Sequence, residues 1–128
     1  MNAKITTGVK VSVISNFLEK IVNGNIEFQV FVYTITIENY NDFPIKLLRR
    51  HWYIFDSLAG KSEVEGPGVV GEYPVLLTKG TVQYTSACQL YSDLGTMHGY
   101  YVFENLNTNE TFKVETPKFE LSNLSKKN

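Results

Sequence analysis

The chain has 128 residues, 43% of them hydrophobic and 20% charged, which is the composition of one globular domain. Its net charge of −1 gives no electrostatic attraction to nucleic acid or to an anionic membrane, so we expect neither as a partner. No apolar run approaches the roughly 20 residues of a membrane helix, and residues 1–7 lack the apolar core of a secretory signal. Cys88 is the only cysteine. Together these features predict a cytoplasmic protein without disulfides.

The first part of the chain predicts a strand followed by an ambiguous segment. Valines alternate with polar residues over 9–14, which is typical of a strand with one solvated face. Residues 16–22 fit either a short helix capped by Asn16 or a continuation of the strand. Asn23-Gly24 then supplies residues that tolerate positive φ, which favours a hairpin turn.

The next strands carry the clearest alternation. Residues 27–38 are apolar on both faces over the first half, so we expect a central strand covered on both sides. Residues 45–55 form a second strand, and 61–65 a short polar strand at an edge. Alternation divides the side chains of the second strand into two faces, with Leu48, Arg50, Trp52 and Ile54 on one and Arg49, His51, Tyr53 and Phe55 on the other.

A glycine-rich stretch, 66–72, has the spacing of a dinucleotide-binding motif but not its context. Such a motif needs a helix directly after the glycines, whose N-terminus holds the pyrophosphate. Tyr73-Pro74 follows instead, and proline disfavours helical geometry in the residue before it. We therefore expect a loop between strands, with glycines at positions of positive φ or close strand approach.

The remaining strands complete an all-β pattern. We expect them at 81–88, 97–104, 111–115 and 118–121, with a loop at 91–95 and a polar, frayed tail at 122–128. About seven or eight short antiparallel strands, with turns every ten residues, predict an immunoglobulin or fibronectin type III-like β-sandwich. A closed barrel is the alternative. The single domain spans 1–128, with its core at about 9–121.

Several motifs in order resemble those of the bacterial ApaG family. They are Arg50-His51-Trp52-Tyr53-Ile54, Gly66-x-Gly68-Val69-Val70-Gly71-Glu72-x-Pro74, Tyr84-Thr85-Ser86, Leu94-Gly95-Thr96-Met97-x-Gly99-x-Tyr101 and Pro117-x-Phe119-x-Leu121. The resemblance implies a fibronectin-like sandwich in a small cytoplasmic protein that has no established catalytic activity and is associated with cobalt resistance and magnesium efflux. The same domain occurs in eukaryotic F-box proteins, which implies a protein-interaction module.

The residue inventory favours binding over catalysis. We expect no enzyme activity, no cofactor and no metal site, because His51 and His98 lie far apart in the chain and no recognised ligand spacing occurs. The predicted function is a non-enzymatic binding module with an unidentified protein partner, and sandwich edges could also pair in a homo-oligomer. The candidate partner-binding residues are Arg49 and His51 beside Trp52, and Tyr91, Met97 and His98 in a segment, 91–99, expected to form a loop.

The alternative function is binding of a small diphosphate-containing ligand or nucleotide. Its candidate residues are Gly66, Gly68, Val69 and Gly71, whose backbone N–H groups would hold a phosphate. Pro67 removes one such donor, which weakens this alternative.

Overall fold

The structure, a computed structural model, describes residues 2–123, and these form strands and connecting turns without a helix. The strands are β1 (Asn2–Thr6), β2 (Val9–Asn23), β3 (Ile26–Asn39), β4 (Ile45–Asp56), β5 (Gly60–Pro67), β6 (Val75–Leu76), β7 (Thr81–Leu90), β8 (Leu94–Asn105), β9 (Thr111–Glu115) and β10 (Phe119–Ser122). All pairings between them are antiparallel.

Two separate sheets form a sandwich, which confirms the all-β prediction and removes the barrel alternative. The four-stranded sheet has the order β1-β2-β3-β7, and the six-stranded sheet has the order β10-β8-β4-β5, with β6 also paired to β4 and β9 to β8. The predicted count of seven or eight strands is wrong, because it omits β1 and the two-residue β6. Since Asn2 pairs with Val13 and Thr6 with Val9, the sheet begins before residue 9.

The ambiguous segment 16–22 is a strand, so its helical interpretation is wrong. Strand β2 pairs with β3 as far as Asn23 opposite Ile26, and a bulge between Phe17 and Glu19 absorbs one residue. Gly24, with φ +64°, forms the turn. The pairing of β3 with β7 ends at Gln29, so the tip of the β2–β3 hairpin projects beyond β7.

The core lies between the two sheets. Strand β3 is central, as predicted, but its outer face is only half-buried at Val32 and Thr34 rather than covered. Trp52 sits among aromatic rings, with centroid distances of 5.6 Å to Tyr33, 5.9 Å to Phe119 and 6.1 Å to Tyr101. The remaining buried side chains are mostly aliphatic and come from both sheets, among them Val9, Val11, Val13, Ile35, Ile37, Ile45, Leu47 and Leu121.

The end of the described chain is part of the fold. Asn123 is buried, its side-chain nitrogen donates to Gln29 Oε1 at 2.8 Å, and its backbone N–H donates to Asp93 O at 3.2 Å. The predicted fraying of the tail is therefore wrong at its first two residues, since Ser122 ends β10 and Asn123 is buried. Residues 124–128 lie outside the described chain.

Candidate functional site

A bulge in β4 decides which of its side chains reach the surface. The pairing of β4 with β8 shifts register between Leu47 and Arg49, so Leu47 enters the core while Leu48 is the extra residue. The prediction that Leu48 shares the inner face is wrong for this reason. Beyond the bulge the predicted alternation holds, with Trp52 buried and His51 on the outer face.

Four aromatic side chains form a continuous strip on the outer face of the six-stranded sheet. This aromatic strip consists of His51 and Tyr53 from β4 and of Tyr100 and His98 opposite them on β8. Ring centroids are 4.6 Å apart for His51–Tyr53, 5.1 Å for His51–Tyr100 and 5.2 Å for Tyr53–His98. Antiparallel pairing therefore brings the two histidines, distant in sequence, to either side of Tyr53.

Charged groups hold the His51 ring in place. Its Nε2 lies 2.7 Å from Glu63 Oε1, and its Nδ1 lies 3.2 Å from Glu65 Oε2 and 3.3 Å from the Tyr100 hydroxyl. Arg49 extends the cluster, with Nη2 3.9 Å from the other carboxylate oxygen of Glu65. The ring is thus fixed on both nitrogens and from both neighbouring strands.

The two tyrosines of the strip lie next to charged groups. Partial desolvation raises the pKa of Tyr53, and the neighbouring Tyr100, Glu63 and Glu65 raise it further. The Lys113 ammonium lies 4.4 Å from the ring centre of Tyr100, within cation–π range. The strip is therefore an aromatic surface bordered by both signs of charge.

The glycine stretch is a strand end followed by a tight turn. Gly66 still belongs to β5, opposite Arg50. Val69 and Glu72 exchange backbone hydrogen bonds of 2.9 and 2.8 Å around Val70 and Gly71, whose φ angles are +48° and +77°. No helix follows, since Val75–Leu76 forms β6, so the predicted loop is confirmed from Gly68 onward, whereas Gly66 and Pro67 still belong to the strand.

Several groups of this turn are already used within the chain. Gly68 N–H donates to Leu48 O at 2.8 Å, and the N–H groups of Val69 and Glu72 are engaged in the turn. The Arg50 guanidinium donates through Nη1 to the carbonyl oxygens of Pro67 at 2.9 Å and Gly68 at 3.0 Å. Anion binding here stays a prediction, and these bonds leave it few donors among the four residues assigned to it.

The other predicted partner-binding residues are divided between surface and core. Met97 is 1% exposed, so its assignment as a partner contact is wrong, because β8 begins at Leu94 and turns this side chain inward. For the same reason 94–99 is strand rather than loop. Tyr91 is exposed and packs on Phe28, with ring centroids 5.2 Å apart, outside the aromatic strip.

The single cysteine, Cys88, lies away from both histidines. It is 8% exposed in the core on β7, and burial, with a smaller contribution from Asp56, raises the pKa of its thiol to about 11. His98 faces outward from the opposite sheet, so its imidazole does not contact the Cys88 thiol. Within residues 2–123 no group of three or more His, Cys, Asp or Glu side chains is placed to hold a metal ion. The same stretch has no helix that is long and apolar enough to cross a membrane.

Sequence reasoning finds only part of this site. Arg49, His51 and His98, predicted separately, come together on one face, whereas Tyr53 and Tyr100 are not among the predicted site residues. The alternation along 45–55 does place Tyr53 with Arg49 and His51. What the pattern lacks is the β4–β8 register, which determines the neighbours of Tyr53 across the sheet.

Comparison with known proteins fixes the family. The family model described as the ApaG domain matches residues 23–105, which include the glycine turn and the whole aromatic strip. The chain belongs to the ApaG family. "Protein ApaG" of Shewanella denitrificans is 39% identical over 117 residues, covering 89% of this chain and 90% of that protein. "Protein ApaG" of Bdellovibrio bacteriovorus is 45% identical over 94 residues, covering 73% of each.

Solved structures support the same assignment. An X-ray structure from a structural-genomics programme has a TM-score of 0.87 and 35% identity, covering 91% of this chain and 88% of that one. The crystal structure described as the putative ApaA protein from Bordetella pertussis has a TM-score of 0.77 and 34% identity, covering 94% of each chain. The resemblance to the ApaG family and the sandwich fold predicted from sequence are both confirmed.

Proposed function

We propose that this ApaG-family protein is a non-enzymatic binding module that docks a protein partner on its aromatic strip. The observation that carries the proposal is the set of stacked rings on the outer face of the six-stranded sheet, centred on Tyr53, which is 36% exposed. Arg49 and Lys113 lie beside the strip and supply cationic groups at its border.

The composition and order of the strip suit a protein interface. Tyrosine and arginine are enriched in interfaces and among the residues that contribute most to binding, because they combine apolar area with hydrogen-bonding groups. Glu63 and Glu65 hold the His51 ring, on which Tyr53 and Tyr100 pack, so little side-chain entropy is lost there on docking. The bordering charges would then select the orientation of the partner.

The family resemblance extends the proposal to a cellular role. The partner would be a cytoplasmic protein, and through it this domain would influence cobalt resistance and magnesium efflux. A catalytic role is not proposed, because the thiol of Cys88 is buried with a raised pKa and thus mostly protonated at neutral pH. The domain would act by assembling a complex rather than by transforming a substrate.

Affinity capture from native extract with matched variants tests this function. The double variant Arg49→Ala/Tyr53→Ala alters the strip, and Gln83→Ala/Gln89→Ala alters exposed positions on β7 of the other sheet. We expect one stoichiometric partner with the wild-type chain and the β7 variant, and at least a tenfold loss with the strip variant (about 1.4 kcal/mol). A partner held equally by both variants, or no stoichiometric partner at all, would contradict the proposal.

A further inference from the structure

A groove on the outer face of the six-stranded sheet begins at Tyr53 and His98 of the aromatic strip and continues towards Phe55. Its volume is about 660 Å³, and its floor is formed by Tyr53, Phe55, Thr96 and His98, with Lys61 and Lys118 also lining it. Phe55 is 43% exposed although it lies on a central strand of the sheet. The groove therefore presents exposed aromatic carbon next to amino groups.

The strand register places the two lysines on opposite sides. Phe55 on β4 is opposite Lys61 on β5 and Thr96 on β8, and Lys118 directly precedes β10, which pairs with β8 on the far side. Four adjacent strands at about 4.8 Å spacing separate the two walls by about 14 Å of backbone. This width accepts a flat ring between flexible lysine side chains that reach inward.

The charges of the groove favour an anion. Among residues 2–123, neither Lys61 nor Lys118 has an ion-pair partner. Glu63, the acidic residue of the groove, has its Oε1 2.7 Å from His51 Nε2. The two ammonium groups that line the groove thus have no ion-pair partner among the described residues, while the Glu63 carboxylate already contacts His51 of the strip.

We propose that this groove binds a small planar aromatic anion, with its ring on Tyr53 and Phe55 and its carboxylate or phosphate between Lys61 and Lys118. Phe55, which is 43% exposed, offers apolar surface for such a ring, and Tyr53, stacked on His98 at an interplanar angle of 24°, borders it. The inference does not rest on a protein partner, although the groove shares Tyr53 and His98 with the aromatic strip. It is also separate from the glycine turn.

Titration of the full-length, ¹⁵N-labelled chain, followed by NMR, tests the ligand class. Adenosine 5′-monophosphate and 4-hydroxybenzoate each carry a ring and an anion, adenosine carries the ring alone, and inorganic phosphate the anion alone. We expect a Kd of about 1 mM or tighter for adenosine 5′-monophosphate or 4-hydroxybenzoate. That Kd should be at least about tenfold below the values for adenosine and for inorganic phosphate. Tighter binding of the monophosphate identifies phosphate as the anion, and tighter binding of the benzoate identifies carboxylate.

Matched variants test the site itself. Lys61→Gln/Lys118→Gln should weaken binding at least tenfold, whereas Lys10→Gln on the other sheet should leave it unchanged; all three lysines lie away from the buried core. Amide shifts should concentrate at Phe55, Lys61 and His98. Binding weaker than 1 mM for both ring-anion probes, shifts confined to the glycine turn, or an unchanged Kd in the double-lysine variant would each overturn the inference. None of these results alters capture of a protein by the strip, so the two proposals fail separately.

Discussion

Tyr84 and Tyr101 place two hydroxyl groups between the sheets, where they hydrogen-bond to each other. Burial is the main cause that raises the pKa of both phenols. The nearby Arg50 guanidinium opposes this shift, but it also serves the carbonyl oxygens of the glycine turn. The tyrosine pair therefore remains neutral, and each hydroxyl depends on the other.

Removing one of the two hydroxyls should lower the free energy of unfolding by more than half of what removing both lowers it. Tyr101→Phe leaves the Tyr84 hydroxyl without its partner, so we expect a loss of about 1–3 kcal/mol in the free energy of unfolding. Tyr84→Phe/Tyr101→Phe should lose clearly less than the sum of the two single variants. Urea unfolding of all four proteins measures this, and strictly additive losses would show that the hydrogen bond contributes nothing.

Asp56 joins two turns at one end of the sandwich. It is 5% exposed, its Oδ1 accepts the Leu58 N–H at 2.9 Å and the Ala59 N–H at 3.3 Å, and its Oδ2 accepts the Tyr91 N–H at 2.6 Å. Burial alone would raise the pKa of this carboxyl. These hydrogen bonds, together with one from Ser92, outweigh burial and hold the pKa below its ordinary value.

The pH dependence of stability follows from that shift. Because the pKa of Asp56 is lower in the folded than in the unfolded state, its stabilising contribution is present above about pH 3.9 and is lost as pH falls through the folded value. We expect Asp56→Asn to lose about 1–3 kcal/mol at pH 7, and less relative to wild type at pH 2.5. Urea unfolding between pH 7 and pH 2.5 checks this, and parallel stability curves for the two proteins would contradict it.

At the scale of elements, the glycine turn shows two separate reasons for a glycine: a positive φ angle and a lack of space for a Cβ. Gly68 and Gly71 both have positive φ, +58° and +77°, but a Cβ on Gly68 would overlap the carbonyl oxygen of Glu72, whereas one on Gly71 would meet open space. Gly68 is therefore required both for its positive φ and for the absence of a Cβ, whereas Gly71 is required for its positive φ alone.

Alanine at the two positions should therefore have unequal effects. We expect Gly71→Ala to lose about 1 kcal/mol of stability, from backbone strain alone, and Gly68→Ala at least about 2 kcal/mol. Thermal unfolding compares them directly, with Gly24→Ala, at φ +64° in an open turn, as the matched control for strain. Equal losses at Gly68 and Gly71 would mean that the overlap is relieved at no cost.

The elements show where local pattern suffices and where it does not. Alternation predicts β3 and β4 because their side chains face a dry core on one side. It misses β1, whose residues Asn2–Thr6 are mostly exposed and are ordered by pairing with β2 rather than by burial. It also misplaces Leu48, since a bulge arises from the fit of two strands and leaves no mark on one of them.

The candidate site depends still more on long-range pairing. The two-residue period of β4 is enough to put Arg49, His51 and Tyr53 on one face. The position of His98 beside Tyr53, and that of Lys118 across the groove, depend on the register of β8 and β10, which are distant in sequence from β4. The prediction for Met97 fails because residues 94–99 continue a strand, whose alternation turns this side chain inward.

For the whole molecule, the two outer faces of the sandwich differ in chemistry. The six-stranded sheet exposes stacked rings, charged groups and a groove. The four-stranded sheet presents short polar side chains on β3 and β7, including Thr34 and Thr85, whose hydroxyls lie 2.9 Å apart, and Gln83, which donates to Thr36. Its other two strands add the exposed side chains Ile5 and Ile14, without aromatic rings beside them among the described residues. We therefore place the proposed recognition on the first face, where exposed rings and charged groups lie together.

Site-specific photo-cross-linking in living cells tests that assignment most directly. A photoreactive phenylalanine would replace Tyr53 in one version of the full chain and Gln83 in another, so that each outer face carries one probe. We expect a discrete higher-mass adduct with another protein from position 53 and none from position 83. An adduct from position 83 alone, equal adducts from both positions, or none from either would contradict recognition through the six-stranded sheet.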